Sequence, residues 1–159
     1  MTEEKRYYIA YGSNLNIPQM RMRCPGAKIL GTANLKGWEL LFKGSKTGSY
    51  LTIEQSKNGS VPVVIWEVTE RDEIALDRYE GFPTFYYKKD IKLKYKGIRT
   101  GKYRTINAFA YIMHEERPIG IPHISYMHTC MEGYDSFYFD RRVLIAAYQK
   151  CKGLCQNEE

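Results

Sequence analysis

Long apolar runs are missing from this chain of 159 residues. The stretches 61–66 and 143–148 reach six residues, whereas a bilayer crossing takes about 20, so no membrane span is expected. Residues 1–11 carry Glu3, Glu4, Lys5 and Arg6 but no apolar core of signal-peptide length, which makes the cytoplasm the expected compartment. Cysteine and histidine are scarce, at four and three residues. Disulfides belong to oxidising compartments, so Cys24, Cys130, Cys151 and Cys155 are expected as free thiols. Cys151 and Cys155 are four apart but lack partner ligands, and His123, His128 and Cys130 do not follow a zinc spacing, so no metal is expected. Repeats, low-complexity tracts and linkers are also absent.

What is there is an ordinary globular composition, 43% hydrophobic and 26% charged, which excludes wholesale disorder. The length suits one domain spanning 1–159, with roughly two-thirds of the unfolded surface hidden on folding. The formal charge of +6 is unevenly spread. Residues 86–104 hold eight basic groups against the single acid Asp90, leaving 16 basic and 17 acidic groups elsewhere. Within that stretch Ile91, Leu93 and Tyr95 alternate with Lys92, Lys94 and Lys96, the period of a strand with one buried face. The lysines fit a solvated strand, and at a sheet edge they would discourage edge-to-edge pairing. Recognisable RNA-binding motifs are absent, so no nucleic acid is expected.

The pattern predicts strands at 6–11, 28–35, 37–43, 50–55, 61–68, 85–96 and 103–113. Helices are predicted from Asn16 as cap to about Arg23, from Thr69 as cap to Gly81 and Pro83, from Pro122 to about Glu132, and from Ser136 as cap to Gly153. Strands dominate the first two-thirds and helices the tail, which reads as α+β with a curved or closed, mostly antiparallel sheet.

Glu80 breaks a local rule. It stands at the end of the second helix, where unpaired carbonyls and the negative end of the dipole disfavour a carboxylate. Tyr79, Phe82 and Pro83 give it apolar neighbours, and burial there raises a carboxyl pKa. Such a group suits proton transfer near neutral pH. Tyr11-Gly12-Ser13-Asn14-Leu15, between a strand and a helix, offers a second feature, because a glycine-containing turn can gather backbone N–H groups around a small anion. The turn is too short for a phosphate-binding loop and lacks its lysine, and Ser13 lacks the setting of a hydrolase nucleophile.

Together these features resemble the gamma-glutamylcyclotransferase-like family. Tyr8-Ile9-Ala10-Tyr11-Gly12-Ser13-Asn14 is similar to that family's first strand and loop, and the match continues through 61–68. Leu76-Asp77-Arg78-Tyr79-Glu80-Gly81 resembles its Leu-Asp-x-x-Glu-Gly motif, and Pro122-His123-Ile124-Ser125-Tyr126 its Pro-Ser-x-x-Tyr element, with His123 in place of the usual Ser. The resemblance covers roughly 7–134. It implies a small mixed β-barrel with flanking helices, Glu80 as the catalytic acid/base, and substrate binding by Tyr8 through Leu15 and by Tyr126. It also implies a small-molecule γ-glutamyl substrate closed to 5-oxoproline, and no metal or organic cofactor. Leaving-group selectivity is expected from the loops 44–49, 97–102 and 114–122. Two other readings stay open: a non-catalytic module binding RNA or a peptide on the basic strand, and an amidohydrolase or acyltransferase using the same pocket.

Overall fold

The computed structural model describes residues 5–45 and 47–156, with Gln156 described in its backbone alone. Five strands close into a barrel in the order β1-β3-β2-β4-β5. They are β1 Arg6–Ala10, β2 Lys28–Ser45, β3 Gly48–Val68, β4 Tyr86–Gly97 and β5 Tyr103–Met113. All neighbours are antiparallel except β1 and β5, whose parallel pairing at Tyr8 and Phe109 closes the ring. Among the described residues four α-helices flank it: α1 Ile17–Arg23, α2 Glu70–Glu80, α3 Ile124–Ser136 and α4 Arg141–Gln156. The α+β class with a curved or closed sheet expected from the pattern, and the small mixed barrel implied by the resemblance, are what is observed. None of the described helices is long and apolar enough to cross a membrane.

The core lies inside the barrel and beneath the helices. Trp66, Phe42, Phe109, Ile9 and Ile65 are among its largest fully buried side chains. β1 is short but central, paired with β3 on one side and β5 on the other, so its chain end opens directly at the barrel rim.

Several boundaries differ from the pattern-based expectation. The strands expected at 28–35 and 37–43 are one strand, β2, and those at 50–55 and 61–68 are one strand, β3. The intervening residues form an irregularity in a continuous ladder, with Lys36 opposite Ser60 and Trp38 opposite Gln55. Polar residues at 56–60 read as a break because a solvent-exposed bulge carries the same composition as a turn. Ser136 does not cap the last helix. It closes α3 by donating to the Glu132 carbonyl at 3.0 Å. Asp140 stands before α4 instead and accepts the Arg142 amide at 3.0 Å.

The alternation of β4 is as expected, with Leu93 and Tyr95 buried and Lys92, Lys94 and Lys96 exposed. The strand pairs with β5 along its length and with β2 only at Gly97 and Lys96. Its lysines therefore face a groove bounded by β2 and Tyr103.

Helix α2 begins where expected. Thr69 accepts the Asp72 amide while the Asp72 carboxylate accepts the Thr69 amide, a reciprocal cap that satisfies two free donors. Replacing Thr69 with Ala is expected to cost about 1 kcal/mol of stability. A lower urea midpoint at unchanged slope is the predicted result, and an unshifted midpoint contradicts it.

Candidate active site

The turn after β1 is built from its own residues. Leu15 and Asn16 donate their amides to the carbonyls of Gly12 and Ser13 at 3.0 Å, closing a short 3-10 turn over Ser13–Leu15. Among the described residues the amides of Gly12, Ser13 and Asn14 meet no backbone carbonyl, as expected for the opening of a helical turn. Asn16 then caps α1 by accepting the Gln19 amide at 3.2 Å. The turn is pinned from outside as well: Trp66 Nε1 donates to the Asn14 carbonyl at 3.2 Å. Asn14 Nδ2 donates to the Tyr8 hydroxyl at 2.9 Å, and Arg23 donates to Asn14 Oδ1.

Glu80 reaches the same place from α2. Gly81 adopts a left-handed conformation at φ 63°, which ends the helix, and its amide turns back to the carbonyls of Arg78 and Asp77. Asp77 fixes the direction of the last turn. Its carboxylate accepts the Tyr111 hydroxyl of β5 at 2.6 Å and pairs with Lys88 of β4 at 2.8 Å. One turn earlier Glu73 holds Lys88 at 2.6 Å and Arg6 at 3.0 Å. The helix is thus moored to three strands of the barrel, with Glu80 at its free end.

Glu80 and the turn line one cavity of about 480 Å³. Tyr8, Tyr11, Tyr86, Tyr111 and Tyr126 contribute its walls. Glu80 keeps some accessible surface, which it presents to this cavity. Removal from water pushes its carboxyl up to about 8, against an opposing pull from the Arg23 guanidinium. No donor of the described residues offsets the burial with a hydrogen bond to the carboxyl. A lone carboxyl of this kind can take and return a proton near neutral pH.

The other residues singled out in the sequence divide in two. Tyr8, Tyr11, Gly12, Ser13, Asn14 and Tyr126 line the cavity. Ile9, Ala10 and Leu15 instead point into the core, each with no exposed surface. A Cβ added to Gly12 would lie 3.3 Å from the Tyr126 hydroxyl and 3.4 Å from Leu51 Cδ1, so the loop approaches α3 and β3 too closely for a larger residue. Tyr126 accepts the Leu51 amide at 3.1 Å. His123 caps α3, its Nδ1 accepting the Ser125 amide at 3.2 Å, and so does the work that a serine performs at a helix start. Of the three loops expected around the leaving group, Ser45, Thr47 and Arg117 bring two to the cavity. The 97–102 loop lies elsewhere, bonded through Ile98 to the Leu30 carbonyl.

The Gamma-glutamyl cyclotransferase, AIG2-like family model matches residues 8–128, a range that contains the cavity walls from Tyr8 to Tyr126. The chain belongs to this family. It is 31% identical over 124 residues to the human gamma-glutamylcyclotransferase, covering 73% of this chain and 64% of that protein. The matched segment therefore spans less than two-thirds of the curated relative. A solved gamma-glutamyl cyclotransferase structure superposes with a TM-score of 0.72 at 26% identity, covering 94% of this chain and 87% of that one. YkqA from Bacillus subtilis shares the fold, with a TM-score of 0.75 at 15% identity over 94% of this chain and 55% of its own.

Within the family motif Asp77 is the mooring and Glu80 the moored group. Tyr86, Tyr111 and Arg23 escaped sequence reasoning. Fourteen tyrosines are scattered along the chain, and only the barrel's closure selects the ones that meet.

The raised carboxyl has a consequence for stability. Between its ordinary value near 4.5 and about 8, folded Glu80 holds a proton that the unfolded chain releases. Raising pH through this window therefore destabilises the fold. Glu80→Gln is expected to melt at a higher temperature than the wild type above pH 8, with the difference vanishing below pH 5. Parallel melting curves across that range contradict this.

Proposed function

We propose that the protein cyclises a γ-glutamyl amine or γ-glutamyl amino acid to 5-oxoproline and releases the free amine. Glu80 serves as base and then acid. The observation that carries this reading is a lone carboxyl, held near 8 by burial, facing a turn of unpaired amides across one cavity. The substrate's α-ammonium must lose a proton before its nitrogen can attack the γ-carbonyl. The departing nitrogen must gain one. A single carboxylate can do both in turn.

The nucleophile is part of the substrate, so the larger task is to curl the glutamyl chain into its attacking shape. Well-oriented intramolecular reactions recover about 7–11 kcal/mol of barrier. The amides of Gly12, Ser13 and Asn14 are the proposed grip on the α-carboxylate, helped by the start of the following helix. Arg78 and Arg117 stand in the cavity wall, Arg117 with its guanidinium 4.2 Å from the Phe85 ring centre. Two cations there favour a leaving amine that carries a carboxylate, an amino acid, over a polyamine. The basic groove of β4 is a separate feature lined by Lys92, Lys94 and Lys96, which speaks against it as the functional surface. We read the chain as one unit acting in the cytoplasm without metal or organic cofactor.

A panel of γ-glutamyl amino acids and γ-glutamyl polyamines, assayed for 5-oxoproline, tests the reaction. Free glutamate as the product would make the protein an amidohydrolase instead. The wild-type kcat/KM is expected to rise with pH through a midpoint near 8, because the base must be ionised. Glu80→Gln is expected to lower kcat by at least about 100-fold while retaining 5-oxoproline binding; near-normal turnover removes the role. Gly12→Val, which crowds Tyr126 and Leu51, is expected to raise KM and lower kcat together. Unchanged constants would take the loop out of substrate binding.

A further inference from the structure

Five tyrosines lie close enough to Glu80 for its charge to oppose their ionisation: Tyr8, Tyr11, Tyr86, Tyr111 and Tyr126. Each hydroxyl has one proton to give. Tyr11 gives its proton to the Tyr111 carbonyl at 2.6 Å, Tyr86 to the Leu51 carbonyl at 2.8 Å, and Tyr111 to Asp77 at 2.6 Å. Tyr126 accepts the Leu51 amide at 3.1 Å and lies beside Cys130, with no relay of donors behind its hydroxyl among the described residues. Tyr8 differs. Its hydroxyl accepts Asn14 Nδ2–H at 2.9 Å, and among the described residues its own proton meets no acceptor.

Tyr8 lines the cavity while only 4% exposed, so that proton can be delivered only to what the cavity holds. The hydroxyl is also polarised from behind. Arg23 donates to Asn14 Oδ1, and Asn14 donates onward to Tyr8, a chain in which each bond strengthens the next donor. Arg23 itself is not in the cavity wall. It stacks 3.6 Å from the Tyr79 ring centre and donates to Gln19 at 2.9 Å.

We propose that the Tyr8 hydroxyl is the side-chain donor to the γ-carbonyl oxygen as that oxygen becomes an oxyanion, with Asn14 and Arg23 acting through it as positioning residues. This rests on the cyclotransferase reading above. At the pH of the test the amine enters neutral and Glu80 ionised; as the amine nitrogen bonds to the γ-carbon, the carbonyl π pair moves onto oxygen and a single nitrogen proton passes to Glu80. The Tyr8 proton stays on Tyr8 and bridges to the oxyanion. When the oxygen pair re-forms the carbonyl, the bond to the departing nitrogen breaks and that nitrogen takes the proton from Glu80. Donors already aimed at developing charge act without reorganisation.

The test is a double-mutant cycle with Tyr8→Phe and Arg23→Gln, using γ-glutamyl-alanine and 5-oxoproline release. Rates are read at pH 10, where Glu80 is ionised. Arg23 is the cation acting on Glu80; the groups facing it from β1 and the turn after it, β4, β5 and α3 are the five tyrosines. Tyr8→Phe is expected to lower kcat about 100-fold with KM changed less than about threefold. Arg23→Gln is expected to lower kcat roughly fivefold, and to have under about twofold effect once Tyr8 is Phe. A Tyr8→Phe rate within twofold of wild type overturns the proposal, as does an Arg23→Gln effect of equal size in both backgrounds. Should Tyr8→Phe fail to fold, Arg23→Gln alone decides, its unchanged kcat overturning the proposal. Wild-type silence on every γ-glutamyl probe overturns this proposal and the cyclotransferase reading together, whereas an active wild type with an insensitive Tyr8 overturns this one alone.

Discussion

The mooring of one helix end organises the rest of the site. Asp77 is held by Tyr111 from β5 and by Lys88 from β4. Gly81 then turns the chain away in a conformation that ends α2 at once. Between these two constraints the side chain of Glu80 has one direction open to it, into the cavity under the barrel rim. A carboxylate at that position opposes the helix dipole and loses water. The fold tolerates it because the neighbouring carboxylates Asp77 and Glu73 are paired with cations. Hydrogen bonds from Arg6 and Lys88 outweigh partial burial at Glu73 and hold its carboxyl below the usual range.

The same segment therefore contains carboxyls driven in opposite directions. Glu73 is tied and charged, and serves the architecture. Glu80 has no hydrogen-bond donor among the described residues, and burial keeps it protonated well above its ordinary range. Pushing apart the pKa values of nearby groups is how acid and base roles are separated in active sites. The tyrosines around Glu80 extend this division of labour. Most spend their protons on bracing the barrel, tying Leu51 of β3, Asp77 of α2 and the carbonyl of Tyr111 into one wall. Stability at alkaline pH is what the protein gives up for the arrangement.

Local chemistry revealed much of this beforehand. Thr69 with Asp72, Asn16 before α1, and Gly81 after Glu80 are short-range signals, and each marks the boundary it suggests. The alternation in β4 likewise separates Leu93 and Tyr95 from the lysines. Where the pattern misled, the cause was a tertiary one. Residues 56–60 look like a turn but sit in a bulge of an unbroken ladder, and Ser136 lost the capping position to Asp140 because α3 continues through it. Glu80 and the Tyr11–Leu15 turn were legible because each breaks or bends a local rule. Tyr86, Tyr111 and Arg23 were not, since nothing within a few residues of them shows that barrel closure will bring them together.

The central claim is that burial, with no hydrogen-bond donor among the described residues to offset it, keeps Glu80 protonated into the range where it can exchange a proton with an amine. Direct titration of its side-chain carboxyl by 13C NMR on glutamate-labelled protein, with the resonance assigned by its absence in Glu80→Gln, measures this without reference to turnover. A midpoint near 8 is the predicted result. A midpoint near 4.5, the ordinary value for a glutamate, would contradict the account.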